Sequence, residues 1–411
     1  MISDENGMIF CSPSEHSMLI YAENIPAYGY RLYQITRAAG NGRIADKSRL
    51  SCTITANLTE IETPFYQIKL NENGEIESLY DKENGRRVDC GRPMNVLRAY
   101  EDKPQRFDAW DVDVYYKEKP YHSFVRTDAK VLTQGERLVL RQTWNFNHSV
   151  ITQDMILSAR NRRIDFATTI DWKEKQVFLK TYFPVNVHAK EASYEIQFGN
   201  LKRPTHSNTE WDFAKFEVPG HKWADLSEGG YGAAIMNDCK YGYDIQENVI
   251  GLSLLKSAVK PDETADRKIH HFTYSFYPHA GSFEETKVQE EAVALNQPLQ
   301  STVLEKTKSE KESGQEMNIP SAYGMISTDC DHIQIDTIKP SEDGTALIVR
   351  FFEFGNKKED VSILFHFGVK AVCECNLCEE EEHPLDLTGM QVVVPVGNYE
   401  IKTLKVYPEG V

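Results

Sequence analysis

The tetrapeptide Asp108-Ala109-Trp110-Asp111, inside PQRFDAWDVDVYY (Pro104–Tyr116), brings two carboxylates and an indole into four residues. Such a set suits sugar recognition: an aromatic face covers the C–H side of a pyranose, and carboxylates accept hydrogen bonds from its hydroxyls. Two carboxyls also cleave glycosidic bonds, standing about 5–5.5 Å apart when configuration is retained. In a chain with 62 acidic residues a D-x-x-D pair arises easily, and its spacing says nothing of that distance. A structural alternative stays open, in which Trp110 anchors in a core and the aspartates satisfy loop amides.

Other chemistry-bearing residues carry less. Cys373, Cys375, Cys378 and His383 form C-x-C-x₂-C-x₄-H, a run of soft donors at metal-binding spacing. Against a metal, VCECNL alternates as a strand does, which puts Cys373 and Cys375 on one face and Cys378 past the strand end. His270 and His271 are adjacent, hence on opposite faces of an extended chain, and with His279 they suit hydrogen-bonded structural roles. Ser227, in DLSEGG, lacks the G-x-S-x-G elbow of a nucleophile, and no Gly-rich phosphate loop occurs.

The elements that must position these groups have a period near two. FYQIKL, ERLVLRQTWNF, RIDFATTIDW, VIGLSLL, ALIVRFFEF, VSILFHF and QVVVPV predict strands. Asn73-Gly74, Asn84-Gly85, Gln134-Gly135 and Asp343-Gly344 predict hairpin corners. His221–Tyr243 predicts tightly turned β-structure, with Gly229, Gly230, Gly232 and Gly242 where positive φ or close backbone approach is needed. Tyr231 and Tyr241 there would pack a ring and wet the hydroxyl. One helix is expected, over Val288–Gln297, with Val288, Ala292 and Leu295 on one side. The expected divisions are a small β-domain over 1–57, a large sandwich over 58–297, a linker over 298–321 and a terminal sandwich over 322–411. The polar stretch Ala39–Arg49 reads as a loop within the first of these.

Three segments taken together, His221–Tyr243, Pro104–Tyr116 and YEIQFGNLKRPTH (Tyr194–His206), resemble the C-terminal β-region of glycoside hydrolase family 38, the α-mannosidases. The resemblance continues through NIPAYGYRLYQI (Asn24–Ile35), Phe65–Arg87, RKIHHFTYSFYPHAG (Arg267–Gly281), VRFFEFGN (Val349–Asn356) and NYEIKTLKVYP (Asn398–Pro408). It is nearest the bacterial and cytosolic type. It implies an all-β fold: a large antiparallel sandwich of galactose mutarotase-like (supersandwich) type, flanked by smaller sandwiches. It also implies a retaining enzyme that releases terminal α-linked mannose from oligosaccharides. Its Asp nucleophile and its zinc or other divalent metal would belong to an N-terminal catalytic domain that residues 1–23 do not match. On that reading this chain carries no catalytic residue and no metal of its own, is inactive alone, and partners that domain. Asp108, Trp110 and Asp111 would wall the sugar site, with Arg203 and His206 behind them.

Composition fits. A formal charge of −16 argues against a phosphate-binding surface and nucleic-acid partners. No run of 18 apolar residues suggests a membrane span, and no leader pattern is seen. Eight scattered cysteines suggest reduced thiols in a cytoplasm. Two other readings remain: a stand-alone carbohydrate-binding or scaffold module, and a truncated gene product whose exposed apolar face would drive self-association into a homo-oligomer.

Overall fold

The structure, a computed structural model, describes residues 2–4, 7–8, 11–13, 18–35, 54–121, 124–304 and 319–410. The expected loop over Ala39–Arg49, and residues 305–318 of the expected linker, lie outside these. The chain divides into two units, one of residues 46–300 and one of 1–45 with 301–411. Strand Thr55–Ala56 pairs with Glu60–Glu62 in the first unit, while Gly29–Arg31 pairs with Ala322–Gly324 in the second.

The larger unit is an antiparallel β-structure of three sheets. Its nine-stranded sheet runs Val125–Thr133, Arg137–Phe146, Ser149–Ser158, Asn161–Asp171, Ile269–Ala280, Tyr231–Asn237, Trp223–Glu228, Glu191–Ile196, Gly199–Pro204. Strands such as Ser149–Ser158 bury every second side chain, which is why their apolar residues alternate. Facing it is a five-stranded sheet in the order Val96–Glu101, Val177–Pro184, Val249–Lys256, Gly242–Gln246, Val218–Pro219. Phe183 of this second sheet stacks on Phe276 of the first at 5.1 Å between ring centres. A third sheet, from Thr55–Ala56 to Arg86–Arg87, adds Tyr66, Ile68, Leu70, Ile76 and Leu79 to the same core.

That core holds one closed polar ring. Asn95 donates to Gln153 at 2.8 Å, Gln153 to the Tyr274 hydroxyl at 2.8 Å, and Tyr274 back to Asn95 at 2.6 Å. All three side chains are buried, so each spares the others the cost of an unmet polar group.

In the second unit, two sheets form a sandwich. One comprises Ile326–Thr328, Glu359–Phe365 and Gln391–Val396; the other runs Ile333–Pro340, Leu347–Glu353, Ile401–Pro408, Val369–Cys375, His383–Leu385. Val349, Phe351, Val361, Ile363, Val392, Val394 and Leu404 fill the space between them. The Tyr28 hydroxyl ties the N-terminal segment to this sandwich by donating to the Ile335 carbonyl at 2.6 Å.

The expected corners are confirmed in their backbone: Gly74, Gly85, Gly135 and Gly344 all take positive φ. The glycines of His221–Tyr243 differ. None of the four takes positive φ. Gly229 and Gly230 make the turn between Trp223–Glu228 and Tyr231–Asn237, where a Cβ would meet open space. Gly232 and Gly242 are there for close approach, since a Cβ on Gly242 would sit 2.9 Å from the Ser253 Cβ. The expected helix spans Val288–Asn296, with Val288 and Ala292 buried and Leu295 half-buried. Among the described residues no helix is long and apolar enough to cross a membrane.

Candidate functional site

The segment from Asp102 to Tyr121 lies over the outer face of the five-stranded sheet, held at both ends by residues that the strands supply. The Glu101 amide donates to the Lys119 carbonyl at 3.0 Å and the Asp102 amide to the Gln176 carbonyl at 2.8 Å. Asp102 is buried and ion-paired with Lys256. Burial nevertheless pushes its carboxyl above the ordinary range, with Lys256 opposing and the nearby charges of Asp108 and Asp111 adding to the rise.

Asp108 turns inward. Its side chain is buried, and its two oxygens accept from the Val259 amide at 3.0 Å, the Lys260 amide at 2.9 Å and Gln176 Nε2 at 3.1 Å. Desolvation would raise its pKa, but the Val259 amide, Gln176 and the Lys260 amide together hold it below the ordinary carboxylate range. Trp110 turns outward and is 71% exposed, edge-on to Phe107, itself 60% exposed, at 5.7 Å. Asp111 is exposed beside it. The tetrapeptide therefore divides its roles, with Asp108 stapling the loop and Trp110 and Asp111 facing solvent.

Beyond Trp110 the segment makes a short 3₁₀ turn, Val114–Glu118, capped where the Asp113 side chain accepts from the Tyr115 amide. The turn drops Tyr116 into the sheet, edge-on to Tyr100 and to Phe178, each at 5.1 Å between ring centres. The Tyr116 hydroxyl donates to Glu217 at 2.7 Å, and Glu217 pairs with the fully buried Lys180. Burial, and after it the Glu217 charge, keep the Tyr116 phenol far above its ordinary pKa. A shallow cavity of about 380 Å³ opens here, lined by Val112, Phe178, Glu217, Tyr241 and Lys256 among others.

Arg203 and His206 lie at the end of strand Gly199–Pro204, at the edge of the nine-stranded sheet. The Arg203 guanidinium sits 4.5 Å over the Tyr194 ring, and its pKa is lowered by burial. Exposed His206 is 3.6 Å from Asp212.

On the nine-stranded sheet, Ser227 and His279 meet at a buried carboxylate, Asp225, that sequence reasoning missed. Asp225 and Ser227 share a face of their strand, and Ser227 pairs across Gly232 with His279 on the next strand. Because Gly232 has no side chain, the outer strands reach over it. Ser227 donates to Asp225, and His279 Nε2 lies 2.7 Å from the other Asp225 oxygen. The carboxylate stands between hydroxyl and imidazole, so His279 does not accept the Ser227 proton as a triad histidine would, in keeping with the absence of an elbow motif. The signal available was the i, i+2 spacing of Asp225 and Ser227. His270 lies 2.6 Å from the Asp266 carbonyl and His271 3.0 Å from the Thr169 hydroxyl. Tyr231 departs from expectation: it is buried and its hydroxyl donates to Asp81 at 2.7 Å, whereas Tyr241 is half exposed.

The cysteine run does not converge. Cys373 and Cys375 are buried on one strand face, Cys378 is exposed past the strand end, and His383 pairs in register with Glu374. Among the described residues, the group whose donors meet is Cys330, His332 and Glu359.

Fold and surface together define a multi-sandwich β-region that presents an aromatic and acidic loop. The fold is similar to that of a crystal structure of an α-mannosidase from Enterococcus faecalis V583, with a TM-score of 0.73 at 13% identity, over 98% of this chain and 50% of that one. Residues 61–264 match the family model described as glycosyl hydrolases family 38 C-terminal domain, and residues 332–404 match that of the family 38 C-terminal beta sandwich domain. The chain is 36% identical to α-mannosidase G of Dictyostelium discoideum, over 93% of its own length and 36% of the relative's. It is 33% identical to human α-mannosidase 2C1, over 80% of its length and 31% of the relative's. The chain belongs to glycosyl hydrolase family 38, whose C-terminal domains it carries. It spans about a third of the length of the curated relatives it matches.

Proposed function

We propose that this chain supports and walls the active site of an α-mannosidase, a retaining glycosidase releasing terminal α-linked mannose from oligosaccharides. Its nucleophile and divalent metal would be carried by an N-terminal catalytic domain. The observation behind this reading is the double family match, with relatives named α-mannosidases. In this role Trp110 and Phe107 supply a ring face for the sugar and Asp111 a hydroxyl acceptor, while Asp108 keeps the loop in place. Arg203 and His206 would stand behind these residues. Six free thiols among the described residues suit a cytoplasmic setting.

The test is to assay 4-nitrophenyl α-mannoside with the purified 411-residue chain, alone and combined with a family 38 catalytic domain. Turnover should need both parts, and W110A and D111A should raise KM in the combination. Mannoside hydrolysis by the chain alone would overturn the reading, as would unchanged kinetics in both variants.

The exposed Trp110–Phe107 pair also suits a carbohydrate-binding module without turnover. Titrating the isolated chain with mannobiose separates the two, because a module binds by itself and a wall needs its catalytic domain.

A further inference from the structure

Strand Ile326–Thr328 lies in one sheet of the terminal sandwich and Ile333–Pro340 in the other, so residues 329–332 must cross between them. The crossing passes the start of Glu359–Phe365, the neighbour of Ile326–Thr328. Cys330 Sγ, a ring nitrogen of His332 and a carboxylate oxygen of Glu359 thereby come within 4.8 Å of one another. They are a thiol, an imidazole and a carboxylate, from two separate segments.

Two observations point to a ligand. The His332 side chain is only 12% exposed, and its Nε2 touches Glu359 Oε1. Both atoms are shut off from solvent and face one another as a pair, with the Cys330 sulfur beside them. What the three donors share is an electron pair to offer a cation. Their supports are in place as well. Asp329 Oδ1 accepts from the Ser362 amide at 3.0 Å and lies 3.3 Å from the Cys330 sulfur. The Cys330 amide donates to Thr328 Oγ1 at 3.3 Å, and the His332 carbonyl accepts from the Phe354 amide at 3.0 Å. Next to that amide is Gly355, where a Cβ would stand 2.9 Å from the His332 Cβ, so a glycine lets the imidazole pack.

We propose that Cys330, His332 and Glu359 form a divalent-metal site that takes Zn²⁺ and fastens the two sheets of the terminal sandwich. Sulfur, nitrogen and oxygen donors together favour zinc over Mg²⁺ or Ca²⁺, which select oxygen alone. A fourth position is left for water. Binding releases the thiol proton to solvent, and a chelator should loosen the sandwich. This site departs from the expectation that this chain holds no metal of its own.

The experiment uses the whole 411-residue chain, stripped with chelator and titrated with ZnCl₂ by calorimetry and with Co²⁺ by absorption. One equivalent should bind, with a thiolate-to-cobalt charge-transfer band. C330S and H332A should each weaken Zn²⁺ binding by at least about tenfold, E359Q should weaken it less, and C375S should leave it unchanged. Zinc should raise the melting temperature of the wild type but not of H332A. Binding that survives C330S and H332A, or that disappears with C375S, would overturn the site. So would the absence of binding, which would leave His332 and Glu359 as a plain ion pair.

Discussion

Lys180 is wholly withdrawn from solvent and pairs with Glu217, across the outer face of the five-stranded sheet. The rings of Tyr116, Phe178 and Tyr182 surround its ammonium at 5.0–5.9 Å, and Ser253 Oγ accepts from it at 3.0 Å. Removing Lys180 leaves the half-buried Glu217 charge without its partner. Lys180→Met is expected to lower unfolding free energy by about 3–5 kcal/mol, read as a shift of the urea midpoint. Combining it with Glu217→Gln should recover part of the loss.

Gly232 and Gly229 should respond oppositely to a methyl group. A Cβ on Gly232 would lie 2.3 Å from Ser227 Oγ, half-buried, and 2.5 Å from Cε1 of the buried His279. Gly232→Ala is expected to cost about 1–3 kcal/mol or more. Gly229 has nothing within 4 Å, and Gly229→Ala should stay within about 0.5 kcal/mol of wild type. Parallel thermal melts decide between them.

Asp108 links stability to acid. Its folded pKa lies below its ordinary 3.8, because the Val259 and Lys260 amides and Gln176 outweigh desolvation. A depressed carboxyl contributes stability that is fully present above the unfolded pKa and is lost as pH falls through the folded one. The stability gap between wild type and Asp108→Asn should therefore hold at neutral pH and narrow below pH 3.8. Urea midpoints across that range measure it, and a constant gap would mean the contribution is not the carboxylate's charge.

Trp110 should separate function from folding. At 71% exposed it has little packing to lose, so Trp110→Ala should change stability by no more than about 0.5 kcal/mol. In an assembled enzyme the same change should raise KM for mannosides. A large drop in melting temperature would point to an anchoring role instead.

The strands and corners were legible because each depends on nearby residues. Alternation marked Arg137–Phe146 and Gln391–Val396, and Asn73-Gly74 and Asp343-Gly344 carried the turn chemistry that their positive φ requires. The family, too, was readable from ordered segments spread along the chain. What DAWD does was not. Whether Asp108 points in or out depends on Val259 and Lys260, about 150 residues away, which no local pattern names.

The same distance hid the charged pairs and the donor cluster. Lys180 sits in a strand buried on both faces, where only a partner brought from Glu217 makes an ammonium tolerable. The cysteines grouped by spacing, 373, 375 and 378, stay apart because a strand and its end hold them so, while Cys330 and His332 meet Glu359 because two sheets are stacked. Residue order thus settled the β-architecture and the lineage, through short-range periodicity and turn preference. Sheet pairing and stacking chose which side chains meet, because they join segments that lie far apart in the chain.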